Sequence, residues 1–143
     1  DYAGYTTETF DGGVLQIGKA VKGDVAFDLP AGHPDEDQDI AAYYLWLFPN
    51  MMFNFYPWGL SVNIVIPVSP TQCRVLYRGY VKDGNLAGQG AGSVLDTVED
   101  QDQWVVEAVQ RGMGSRAYDR GRYSPTREQG VHHFHRMLSR LHP

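Results

Sequence analysis

The sequence predicts an α+β domain, with an antiparallel sheet followed by two helices. Between residues 42 and 81, apolar and aromatic residues fall in short runs separated by turn residues, and the later runs alternate with period two. From residue 93 the apolar period lengthens to that of a helix. The connections between the runs are short, so neighbouring strands must reverse direction and form a meander.

Taken in order, "VLQIGKAV" (14–21) suits a strand, and "LPAGHPDEDQD" (29–39) is a loop broken by proline, glycine and acidic residues. Asp35, Asp37 and Asp39 have the spacing of a calcium loop. Ile40 and Trp46 stand where its glycine and closing glutamate belong, so a solvated loop is expected. "AYYLWLF", "MMFNFY", "LSVNIVI" and "CRVLYRGYV" are four strands of the sheet. "KDGNLAGQGAG" (82–92) is glycine-rich. It matches neither the dinucleotide fingerprint nor the P-loop, and reads as a flexible connector.

The first helix is expected from a cap at Ser93 to the glycines of "RGMGS". The second is expected to start at Ser124, with Pro125 in its first turn and Val131, Phe134, Leu138 and Leu141 on one face.

A chain of 143 residues suits a single domain, 1–143, that buries roughly 70% of its unfolded surface. Its net charge of −5 argues against nucleic acid as a partner. One cysteine, Cys73, permits no intrachain disulfide, no iron–sulfur cluster and no cysteine-based zinc site, and fits a reducing cytoplasm. No apolar run reaches the length of a membrane span.

The residue that invites chemistry is Asp102. Leu95, Val98, Val105 and Val109 form one helical face, and Asp102 fills the gap in its middle. A buried carboxylate must be paired or bound to a metal. Arg74 or Arg78 from the sheet could pair with it; a metal is the other solution. Asp100 lies off the stripe. His132 and His135 share a helical face, but His132 adjoins the apolar stripe, as a core or interface histidine would. No H-E-x-x-H, paired C-x-x-C or G-x-S-x-G occurs.

Three stretches together, "WLFPNMMFNFYPWGLSVNIVIP" (46–67), "DQWVVEAVQRGMGSRAY" (102–118) and "GRYSPTREQGVHHFHRML" (121–138), carry a resemblance. The chain resembles the C-terminal catalytic domain of the large (α) subunit of Rieske-type non-haem iron, aromatic-ring-hydroxylating oxygenases. The resemblance implies a helix-grip (START/Bet v 1-like) fold, an antiparallel sheet around a long C-terminal helix. It implies a mononuclear Fe(II) held by two histidines and one aspartate.

The family's aspartate lies five residues before the glutamate of an E-x-V-Q-R-G signature. Glu107 opens that signature here, which makes Asp102 the ligand. The same resemblance places the family's two iron-binding histidines, and the Rieske domain with its [2Fe–2S] cluster, upstream of the matching part. The chain has no C-x-H and C-x-x-H pair.

Further expectations follow from the resemblance: ring dihydroxylation, C–H hydroxylation or demethylation by the parent enzyme, a reductase partner, a trimer, and a small aromatic or quaternary-ammonium substrate. Met51, Phe53 and Phe55 on one face of their strand, with Asn54 as a polar handle, are the candidate pocket residues. The alternative is a non-catalytic small-molecule-binding module of the same fold. A partner subunit completing a split site is a third possibility, and it predicts a large exposed apolar patch.

Overall fold

The computed structural model describes residues 4–141. Its alternating runs form six strands: β1 Tyr5–Phe10, β2 Gly13–Lys19, β3 Ile40–Leu47, β4 Met51–Tyr56, β5 Gly59–Ser69 and β6 Gln72–Val81. They pair in chain order, all antiparallel, so β1 and β6 are the two edges of one open sheet. Two helices follow, α1 Leu95–Met113 and α2 Gln129–Ser139. The α+β architecture is the one expected, and it is consistent with a helix-grip catalytic domain.

The four strands read from residues 42–81 and the strand near residue 14 are all present. β1 escapes the pattern because "YTTETF" is polar in both phases and is exposed along nearly its whole length.

Register separates the two faces of the sheet. Leu15, Leu45, Phe53 and Val62 lie in one row across β2 to β5; Tyr44, Asn54 and Ser61 lie in another row, pointing the other way. The helices sit on the second face. Phe134 of α2 meets Trp46 edge-on at 5.0 Å, and Gly130 is seated against Val14 and Thr7. The His133 imidazole donates from Nε2 to the carbonyl of Phe10 at 3.0 Å.

The first face is covered at the Tyr43 end by the segment before β3. Phe27 packs on Tyr43, and the Tyr43 hydroxyl donates to Asp35 Oδ2 at 2.9 Å. Burial, followed by Asp35, raises the Tyr43 pKa to about 12. Asp35 also accepts from Gln38.

The expected start of the second helix is corrected. Residues 124–128 form a turn in which Arg127 and Glu128 both donate to the Ser124 carbonyl, and α2 begins at Gln129. Ser124 does not cap the helix. Its N–H is instead taken by Glu128 Oε2 at 2.5 Å, so the chain turns before it coils.

Ala42, Tyr56 and Trp58 form a buried cluster, against which Tyr44, Leu86, Ala91 and Leu95 pack. The Trp58 indole stacks on Tyr56 (5.1 Å, 8°) and donates to the Ala91 carbonyl at 3.0 Å. Gly92 passes beneath Tyr56 with φ +76, where a Cβ would come within 2.8 Å of the ring. The cluster is thus what sets the root of α1.

Trp58→Ala should therefore cost about 3–5 kcal/mol of stability, the usual range for a buried tryptophan, read as a lowered urea midpoint. An unchanged midpoint would show that this cluster is not a core.

Candidate functional site

Asp102 lies just over two turns into α1, a helix that carries no buried residue. This corrects the expectation of a buried stripe. At its root α1 packs on the sheet through Leu95; Val98, Val105 and Val109 are exposed, and Trp104 is 68% exposed. The helical periodicity is correct, but no element among residues 4–141 covers the face it creates.

The premise of a carboxylate needing a buried partner falls with it. Asp102 is exposed. Neither Arg74 nor Arg78 pairs with it among the described residues, and Arg78 donates to the Tyr77 carbonyl instead.

Its neighbours are acidic. Glu99 has a raised pKa, first because it is partly buried and then because Asp96, Asp100 and Asp102 surround it. Tyr77 on β6 is raised by burial, then by Glu99, Asp102 and Asp100. Tyr56 is raised to about 12, chiefly by burial. These couplings place the acidic ridge of α1 beside the helix-bearing face of the sheet, towards the β6 edge.

The metal-ligand set does not close on these residues. Among the described residues no three His, Cys, Asp or Glu side chains come together to hold a metal ion. His132, His133 and His135 belong to α2, which packs on β1 and β2 at the opposite edge of the sheet. His132 and His135 are exposed, and His135 Nδ1 meets the Tyr123 hydroxyl at 2.5 Å. His33 packs against Tyr43 on the face away from α1. Among the described residues, no complete ligand set forms around Asp102.

The four pocket candidates are split by the sheet. Met51, Phe53 and Phe55 point away from the helices, where Phe53 and Phe55 stack at 6.5 Å. Only Asn54 shares the helix-bearing face. The expectation that all four line one pocket is corrected by the period of the strand, which sends neighbours to opposite sides.

Residues that the sequence reading passed over join Asn54 instead. Met52, Ser61, Asn63 and Tyr77 are on its face, and Ser61, 3% exposed, donates to Asn63 Oδ1 at 3.1 Å. The signal was the polar phase of "LSVNIVI", which a half-buried strand would turn to solvent but this one turns towards the helices.

An open antiparallel sheet bearing two C-terminal helices on one face is an α+β architecture consistent with a helix-grip catalytic domain. Residues 18–142 match the family described as the ring hydroxylating alpha subunit (catalytic domain), and the chain belongs to that family.

Among its relatives is the chloroplastic choline monooxygenase of Arabidopsis thaliana. It is 37% identical over 102 residues, covering 68% of this chain and 24% of the relative. The choline monooxygenase of Beta vulgaris is 27% identical over 143 residues, covering 96% of this chain and 30% of the relative. The carnitine monooxygenase oxygenase subunit of Escherichia coli K12 is 27% identical over 139 residues, covering 89% and 36%. The chain thus spans between a quarter and about a third of the length of these relatives. Among the described residues no helix is long and apolar enough to cross a membrane.

The crowding around Glu99 has a measurable sign. Its folded pKa lies above the ordinary 4.5, so the native state binds more protons than the unfolded state in the interval just above 4.5. Stability is therefore lost as pH rises through that interval. Glu99→Gln should remove this slope and raise the thermal midpoint at neutral pH. Parallel stability–pH curves for the two proteins would show that Glu99 is not crowded.

Proposed function

We propose that the chain is the carboxylate-bearing, C-terminal part of the catalytic domain of a Rieske-type oxygenase. The observation that carries this is the family match over residues 18–142, within which Asp102 stands five residues before Glu107 of the E-x-V-Q-R-G signature. Asp102 is the carboxylate ligand to a mononuclear Fe(II). The two imidazoles and the [2Fe–2S] cluster come from polypeptide outside these 143 residues. Such a metal, when bound, activates dioxygen for insertion into a substrate.

The exposed ligand face of α1 supports this reading. A helix with a carboxylate amid valines, facing open space, suits a site whose remaining walls lie elsewhere in the polypeptide.

The proposed substrate is a small quaternary-ammonium compound, hydroxylated at carbon, because the relatives are named as choline and carnitine monooxygenases. An aromatic ring is the alternative substrate. A reductase supplies electrons from NAD(P)H, and the working assembly is a homotrimer. The exposed Cys73 suits a reducing compartment, either the cytoplasm or, as the plant relatives' names suggest, the chloroplast. The competing function is a metal-free binding module of the same fold.

The coding DNA upstream of Asp1 separates the two. The oxygenase reading expects a C-x-H and C-x-x-H pair followed by two further histidines in the same reading frame. A start codon immediately before Asp1 would overturn it in favour of the binding module.

A further inference from the structure

The end of the molecule away from α1 holds a cleft of about 500 Å³ between β1, the 123–128 turn and α2. Its walls combine donors and an apolar surface. Thr7 and Thr9 come from β1, Tyr123 and Pro125 from the turn, and His132 and Arg136, one helical turn apart, from α2.

Two of these side chains are unengaged. The Arg136 guanidinium has no ion pair or hydrogen bond among the described residues, whereas Arg111 pairs with Glu107 and Arg120 with Asp119. The His132 ring packs edge-on to Tyr123 at 5.1 Å, and its nitrogens have no hydrogen-bond partner among the described residues. Both therefore retain their donors towards a common space. An arginine guanidinium is charged at every relevant pH and presents a planar fork that matches a carboxylate.

Charge decides what kind of anion fits. Glu128 also borders the cleft, but its Oε2 is engaged with the Ser124 N–H. The Arg136 guanidinium offers its fork to one carboxylate, while Glu128 keeps its own negative charge at the cleft's border, so a singly charged anion is the one that fits. A dianion would leave an excess charge beside Glu128. The Tyr123 ring and Pro125 provide a wall for a carbon skeleton rather than for a bare ion.

We propose that this cleft is a binding site for a small organic monocarboxylate, held by Arg136 and His132 with its hydrocarbon part against Tyr123 and Pro125. It stands independently of the iron reading, because it is built on the β1 edge while α1 lies towards β6. Its occupant would regulate the domain or stabilise its fold by mass action.

The test is titration of the 143-residue chain with sodium propionate, followed by calorimetry and by the NMR shifts of the His132 ring. Inorganic phosphate and chloride serve as competing probes. The expected result is saturable one-to-one binding of propionate, tighter than phosphate. Arg136→Gln should weaken it by about tenfold or more, the loss of one charge-assisted pair. Arg140→Gln, outside the cleft, should leave it unchanged. His132→Gln reads the same cleft without altering the guanidinium and should also weaken binding. Binding that never saturates, that favours phosphate, or that falls equally in the Arg136 and Arg140 variants would overturn the proposal and leave only a diffuse basic surface.

Discussion

The Trp58 indole stacks on Tyr56 and donates to the Ala91 carbonyl, while the Trp58 carbonyl accepts from Lys82 and Asp83. One residue at a strand turn therefore holds both ends of the glycine-rich connector. Gly92 can then pass under Tyr56, and Leu95 can reach the same cluster. The position of α1, and with it that of Asp102, depends on this joint, because Leu95 is the α1 residue that packs into the buried cluster. In the proposed role of iron ligand, Asp102 must be placed with small error by its scaffold. Here the placement comes from one aromatic stack and a few backbone hydrogen bonds.

Beyond its root, α1 carries an apolar face that no element among the described residues covers. Its valines and Trp104 are exposed, and its acidic residues sit close enough to raise Glu99. Neither feature stabilises an isolated domain: exposed apolar side chains gain nothing from the hydrophobic effect, and crowded carboxylates repel. Both make sense if further polypeptide covers the helix and a cation offsets the carboxylates. The family membership and the short span against the relatives agree with that picture. On the sheet's other face Phe55 and Ile66 are exposed as well.

Much of the fold was legible because the patterns were local. "LSVNIVI" alternates, "VSPTQ" turns, and the apolar steps from Leu95 to Val109 belong to a helix whether or not anything packs on them. Burial was less legible. Periodicity reports which residues share a face, not what lies opposite, so the stripe around Asp102 reads as buried although no element among residues 4–141 covers it. β4 shows the same limit. The alternation of Met51, Phe53 and Phe55 against Asn54 was plain, but only the packing of Phe134 on Trp46 and of Leu95 on Tyr56 and Trp58 reveals which phase the helices occupy. Asp102 itself could be singled out by its place in the stripe, yet the ligand role proposed for it rests on the family signature around Glu107.

The most direct test of the central claim is the metal content of the complete oxygenase polypeptide carrying Asp102→Ala, compared with Asp100→Ala. The account predicts that the Asp102 variant loses its mononuclear iron while the cluster's visible absorbance persists, and that the Asp100 variant keeps both. A complete polypeptide that holds its full mononuclear iron without the Asp102 carboxylate would contradict the account.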